Sequence, residues 1–173
     1  MPSDSNETDA RMVIDQLLTR AGWEVADKRQ VLTEHKVSLE TVEGMNEAPV
    51  VYAPASSLSQ KTLSPGSTGR VDYLLLDQKG QPLAVVEAKR NALDPYFAKN
   101  QALPYAKALG APFVFLSNGD VTYFWDWQND DARIVNSLYS RNDLERLLHM
   151  REHQQPLATV PIPEEYLRTG EVR

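Results

Sequence analysis

Two apolar, β-prone runs, Val71 to Leu76 and Leu83 to Val86, stand one polar turn apart, with Gln78-Lys79-Gly80-Gln81 between them. Runs this short and rich in branched side chains read as strands, and a glycine-containing connection of this length joins them into a β-hairpin. The second strand is too apolar for a solvent-facing surface. The rest of the chain must therefore supply the layers that cover it.

Those layers are readable. Val13, Ile14, Leu17 and Leu18 recur at helical spacing between Glu7 and Ala21, and Gly22 is placed to stop that helix. Trp23 and Val25 then enter a short strand or turn. After the hairpin, Asp94-Pro95 opens a helix running to about Leu109 and ended by Gly110 and Pro112. Phe113 to Leu116 reads as a buried strand, Ser117-Asn118-Gly119-Asp120 as a turn, and Val121 to Trp127 as a further strand. Asn142 is the expected cap of a last helix over Asp143 to His153, with Leu144, Leu147 and Leu148 on one face. Residues 27 to 68 are polar and mixed, with β-prone pieces at Val37 to Val42 and Val50 to Tyr52 and a loop-like stretch from Ser56 to Thr68. The sum is an α/β chain, a central mixed β-sheet flanked by α-helices. Its domain is expected over 1–155, followed by an extended tail over 156–173 that carries Pro156, Pro161 and Pro163.

Composition narrows the chemistry. A chain of 173 residues suits one domain. It has no apolar run of membrane-spanning length, and its first residues have neither a basic start nor an apolar signal core, so a cytoplasmic protein is expected. With no cysteine, any metal must be held by oxygen or imidazole. The net charge of −6 argues against a surface that grips nucleic acid all round, since phosphate binding is largely electrostatic. Charge is uneven, however: residues 60 to 110 hold seven bases and four acids, against chain totals of 18 and 24.

One constellation carries chemistry. Phosphodiester hydrolysis needs hard oxygen ligands for a divalent ion and a cation that stabilises developing charge. Asp72 lies at the start of the first hairpin strand, and Glu87-Ala88-Lys89 ends the second. A hairpin symmetric about the Lys79-Gly80 bond sets Leu76 against Leu83, Leu74 against Val85, and Asp72 against Glu87, which puts both carboxylates on one face. Period-two alternation sends Lys89 to the same face. The bare Glu-x-Lys spacing recurs by chance, and Glu34-His35-Lys36 is a second instance in this chain. Context separates them, because Glu34 follows a polar stretch whereas opposed carboxylates at an apolar strand end are costly without a compensating cation. A salt bridge from Lys89 or Arg90 to these acids is the structural alternative. On the following helix Gln101 and Tyr105 stand at i and i+4, on one face, where an amide and a phenol can orient phosphate or a carboxylate.

Several pieces in order carry a resemblance: Glu7-Thr8-Asp9-Ala10-Arg11 through Ala21-Gly22-Trp23, Gly69-Arg70-Val71-Asp72-Tyr73, Val86-Glu87-Ala88-Lys89-Arg90, Gln101-Ala102 with Tyr105-Ala106, and Ser117-Asn118-Gly119. On these the chain resembles the N-terminal endonuclease domain of the restriction (R) subunit of type I restriction-modification enzymes, in the PD-(D/E)xK nuclease superfamily. The resemblance implies a restriction-endonuclease-like core and metal-dependent hydrolysis of double-stranded DNA without sequence specificity of its own. It implies Asp72 and Glu87 as magnesium ligands, Lys89 as the group that positions water or stabilises charge, and Gln101 and Tyr105 as the helical Gln-x-x-x-Tyr motif supporting catalysis. Glu7 matches the acidic residue of the first helix that helps complete such sites, with Asp9 and Asp15 competing for the role. Val71 stands where the superfamily's proline would be. The resemblance further implies a longer protein, whose ATP-driven motor lies beyond the tail and which works with methyltransferase and specificity subunits. A nuclease-like docking module and a stand-alone nuclease of the superfamily are the alternatives. His149-Met150-Arg151-Glu152-His153 matches a zinc pattern, but it lies in a polar helix and reads as a solvated face. Trp125 and Trp127 read as packing at a strand end.

Overall fold

The computed structural model describes residues 5–39, 68–90 and 93–153, with the side chains of 5–8 outside that set. The β-prone piece at Val50 to Tyr52, the loop from Ser56 to Ser67 and the proline-bearing tail lie outside the described residues.

A six-stranded sheet forms the middle layer, with its strands side by side in chain order. Helix α1 (Ser5–Arg20) leads into β1 (Val31–Ser38), then β2 (Thr68–Leu76) and β3 (Pro82–Ala88) form the hairpin. A 3-10 turn over Pro95–Ala98 runs into α2 (Lys99–Leu109), and β4 (Phe113–Ser117), β5 (Thr122–Asp126), β6 (Arg133–Val135) and α3 (Arg141–His153) complete the described order. The β3–β4 pair is parallel and all other neighbours are antiparallel, so the sheet is mixed as expected. Only that parallel pair needs a crossover, and the 3-10 turn with α2 supplies it.

Each sheet face buries its own core. Ile14 and Leu18 of α1 and Leu144 of α3 pack with Tyr73, Leu75, Val86, Phe113, Phe115 and Phe124 on one face. Ala102, Tyr105 and Ala106 of α2 pack with Leu74, Val85, Val114 and Leu116 on the other. The first face is anchored by aromatics: the Phe124 ring lies 5.2 Å from Phe115 and 4.7 Å from Tyr139, centroid to centroid. Trp23, buried in the turn after α1, donates its indole N–H to the Tyr139 carbonyl at 2.8 Å and ties the two helical ends of that layer together.

Several boundaries differ from the sequence reading. β1 occupies Val31–Ser38 and so begins before the β-prone piece expected over Val37 to Val42, whose residues 40–42 lie outside the described residues, and it takes in Glu34-His35-Lys36. The hairpin keeps the expected register at Leu74↔Val85, but Leu76 pairs with Pro82, not Leu83, across a one-residue shift. Asp77 causes it locally: its side chain accepts the amides of Lys79 and Gln81 at 2.8 and 2.6 Å, which makes an Asx-type turn longer than a symmetric two-residue loop. β6 was not foreseen. The cap of α3 is Ser140, whose hydroxyl accepts the Asp143 amide at 3.1 Å, rather than Asn142. No helix among the described residues is long and apolar enough to cross a membrane.

Candidate active site

β3 and β4 run parallel to a common end, where Lys89 donates its amide to the Ser117 carbonyl at 2.8 Å. Ligand sites in open α/β sheets gather at the carboxyl ends of such strands. Glu87 sits there and is 3% exposed. Its Oε1 accepts the Gln101 side-chain amide at 2.6 Å and lies 3.4 Å from the Lys89 ammonium, which also donates to Gln101 Oε1 at 2.7 Å. Glu87, Lys89 and Gln101 thus form a closed triangle between the strand end and α2, in which each side chain fixes the other two.

Asp72 reaches this end from β2 by a different device. Registered pairing of β2 with β3 runs as far as Tyr73↔Val86. Beyond it, Asp72 Oδ2 accepts the Ala88 amide at 2.7 Å, a carboxylate standing where a ladder carbonyl would be. Strict alternation, on which the expected shared face rested, also breaks at this residue. Val71 packs in the α2-side core although Tyr73, two residues on, packs on the α1 side. In β1 the facing residue is Glu34, skipped between Thr33↔Tyr73 and His35↔Val71, with φ at 52°. A left-handed, non-glycine residue inside a strand marks a local slip in both ladders. The slip leaves Asp72 between the faces, where Arg11 of α1 binds its Oδ1.

Tyr105 comes from α2 as its spacing predicts. Its phenol lies against the Gly69 backbone, and burial raises its pKa, with the Glu87 and Asp72 charges adding to the rise. Both carboxylates therefore act on one hydroxyl, and Asp72, Glu87, Lys89, Gln101 and Tyr105 come together at one end of the sheet. Glu7 belongs to α1, but its side chain lies outside the described residues. Asp15, a competitor for its role, instead acts on the buried Tyr73 hydroxyl, whose pKa is raised first by burial and then by that hydrogen bond. His149 and His153 are exposed, with stacked rings 4.0 Å apart. Trp125 and Trp127 donate their indole N–H groups to the carbonyls of Asp130 and Ala111, in keeping with packing.

Sequence reasoning missed the groups that surround Asp72. Arg11 bridges Asp72 and Glu34 through its two terminal nitrogens, and Arg70 holds the other Glu34 oxygen at 2.6 Å. The bond from Arg11, and then that from Arg70, keeps the Glu34 carboxyl below its ordinary 4.5. A lowered folded pKa means stability fully present above the ordinary value and lost as the pH falls from there through the folded pKa. Urea unfolding across the acid range is expected to show a shallower loss for Glu34→Gln than for the parent chain. Asn118 sits in the turn that follows β4. Its amide donates to the Leu93 carbonyl at 3.0 Å and its oxygen accepts Asp120 and Val121 amides, so it pins Leu93 to the end of β4.

The donor chemistry suits a hard divalent ion, because Asp72 and Glu87 bring two carboxylates to one strand end with the Lys89 ammonium beside Glu87, and magnesium commonly takes one or two carboxylates and keeps its waters. Among the described residues no group of three or more His, Asp or Glu side chains is placed to hold a metal.

Over part of its length the chain is similar to known restriction-enzyme subunits. The family described as "Type I restriction enzyme R protein N terminus" matches residues 55–133. The endonuclease subunit of the type I restriction enzyme EcoAI of Escherichia coli is 44% identical over 55 residues, covering 32% of this chain and 7% of that protein. The EcoKI endonuclease subunit of Escherichia coli strain K12 is 29% identical over 109 residues, covering 63% of this chain and 8% of that protein. A solved fragment described as an HsdR subunit of a type I restriction enzyme from Vibrio vulnificus YJ016 superposes with a TM-score of 0.63. It covers 87% of this chain and 26% of that one at 23% identity, a likeness of fold. The chain spans less than a tenth of the length of these curated relatives. Through the hairpin, α2 and the sheet strands beyond it, the chain is thus similar to the N-terminal region of type I restriction enzyme R proteins over residues 55–133.

Proposed function

We propose that this chain is the endonuclease domain of a type I restriction enzyme R protein, a PD-(D/E)xK-type site that hydrolyses phosphodiester bonds of double-stranded DNA with magnesium. The observation that carries the reading is the buried Glu87 carboxylate, held at the carboxyl end of β3 by Gln101 and Lys89. A buried charge with dedicated partners at the carboxyl end of a parallel strand pair is a usual mark of a working group. Asp72 and Glu87 would hold the ion, which when bound polarises the phosphate and lowers the pKa of a bound water. Lys89 brings a positive charge beside Glu87 to meet charge developing on the phosphate. Gln101 fixes both Glu87 and Lys89, and Tyr105 lines the same end. On this reading the cutting takes its sequence specificity from elsewhere in the full-length enzyme. ATP-driven motion and the methyltransferase and specificity subunits belong, on this reading, to the full-length cytoplasmic enzyme.

The test is nicking of covalently closed plasmid by the full-length protein with and without magnesium. Lys89→Ala is expected to lower the rate on the order of 10²-fold, the usual loss when one charge-stabilising donor is removed, with the chain still folded at the assay temperature by circular dichroism. Cleavage retained at the parent rate would instead favour a docking module with a nuclease-like fold.

A further inference from the structure

We infer that Arg11 is a charge latch on the candidate metal site: its guanidinium occupies Asp72 Oδ1 and must be displaced before a divalent cation can use that oxygen. The inference rests on the reading of Asp72 as a metal ligand and adds a residue that opposes occupancy. Three observations support it.

Arg11 projects from α1, on the opposite side of the sheet from the Glu87–Gln101–Lys89 triangle, and its contact with Asp72 spans 61 positions of sequence. Within the site the two carboxylates are thus served by different cations from different layers, Lys89 for Glu87 and Arg11 for Asp72. Secondly, the guanidinium is bridged rather than simply paired. One terminal nitrogen binds Glu34 and the other binds Asp72, while Arg70 takes the second Glu34 oxygen, giving an alternating row Arg70, Glu34, Arg11, Asp72. Such a row offers Arg11 a resting place on Glu34 when it leaves Asp72, so release does not strand a buried charge. Thirdly, Glu34 meets Arg11 from a left-handed backbone conformation that non-glycine residues adopt at a cost. The same slip in the ladder leaves Asp72 Oδ1 within reach of Arg11 on α1. The strained residue and the latched residue face each other across the two strands.

Asp72 remains fixed in either state, since its Oδ2 accepts the Ala88 amide of β3. Only Oδ1 is exchanged between guanidinium and ion. Arg11 is accordingly a positioning residue, and it makes occupancy of the site harder than the two carboxylates alone would make it. A merely structural role predicts that removing Arg11 weakens the site. The latch predicts the reverse.

Binding of Mn2+ to this chain, followed by the EPR signal of the free ion, separates these cases. Arg11→Met and Arg11→Lys are both expected to bind Mn2+ about tenfold more tightly than the parent, the scale of one charge-assisted hydrogen bond. Lysine keeps the charge but cannot bridge two carboxylates as a fork does. Arg20→Met, which removes the same charge from the last turn of α1, is expected to bind as the parent does. Circular dichroism reports folding, and should Arg11→Met fail to fold, Arg11→Lys carries the comparison. Unchanged or weaker binding in both Arg11 variants overturns the latch while leaving Asp72 as a ligand. Tightening in Arg11→Met alone reduces the effect to net charge and also overturns it. Binding that persists unchanged in Asp72→Asn overturns the ligand reading itself.

Discussion

Glu87→Gln is expected to abolish cleavage, by on the order of 10³-fold or more, while leaving the fold as stable as before or slightly more so. The reason lies in what the substitution keeps. Glutamine has the same volume, and its oxygen can still accept the Gln101 amide that now lies 2.6 Å from Glu87 Oε1. Only the charge is lost. Burying a carboxylate that is 3% exposed is costly in itself, and its attraction to Lys89 offsets that cost only in part, because the Lys89 side chain is 25% exposed and can recover water. Neutralising Glu87 therefore relieves the fold by about 0 to 1 kcal/mol, whereas a group that must bind a cation cannot do so uncharged. Initial nicking rates of the full-length protein, set beside urea unfolding of the same variant, give both quantities. A structural ion pair predicts the opposite pairing: a stability loss of several kcal/mol with activity falling only as the folded fraction falls. Opposite signs for stability and activity at one position would mark a site kept for its chemistry.

How much of this could be read from the sequence depends on the range over which each residue acts. The hairpin was legible because alternation is local: the pairing of Leu74 with Val85 follows from counting. Gln101 and Tyr105 were legible because a helix brings i and i+4 together whatever surrounds it. β1 was not, because only Val31 and Val37 within it are buried and they serve opposite faces, so no single period runs through the strand. The conformation of Glu34 that breaks the period has no sequence signature, and Glu34 was set aside as polar context for the same reason. β6 is three residues long with two of them exposed, too little to pattern. Arg11 lay within a quoted motif yet received no role, since its role depends on a contact that only the tertiary structure makes. At the cap of α3, Ser140 and Asn142 are both able residues, and side-chain geometry decides between them.

Gly69→Val is expected to destabilise the fold by about 3 kcal/mol, and the damage should be traceable to one side chain. Gly69, the second residue of β2, pairs with Val37 of β1, and its backbone is not left-handed, so nothing in its conformation forbids a side chain. What forbids it is Tyr105. A Cβ on Gly69 would stand 2.3 Å from Cε1 and Oη of that ring. The ring cannot swing out cheaply, because it is 4% exposed and packed with Leu74, Val85 and Ala102. Either the strand moves away from α2, which disturbs Asp72 three residues on, or Tyr105 leaves its place beside the two carboxylates. Both routes lower activity as well as stability. Tyr105→Ala alone should cost a similar amount by opening a cavity, but Gly69→Val combined with Tyr105→Ala places a new side chain where the phenol was removed. The double variant should therefore be less destabilised than the two single losses added together, with a coupling of about 1 to 3 kcal/mol, measured by urea unfolding of all four proteins. Strict additivity would mean that Gly69 and Tyr105 do not touch, and that Tyr105 is held at the sheet end by something other than the glycine beneath it. If the coupling is found, the glycine that precedes Arg70 and Asp72 is there because the phenol of α2 needs that space, and the strand start and the helix motif form one packed unit around the site.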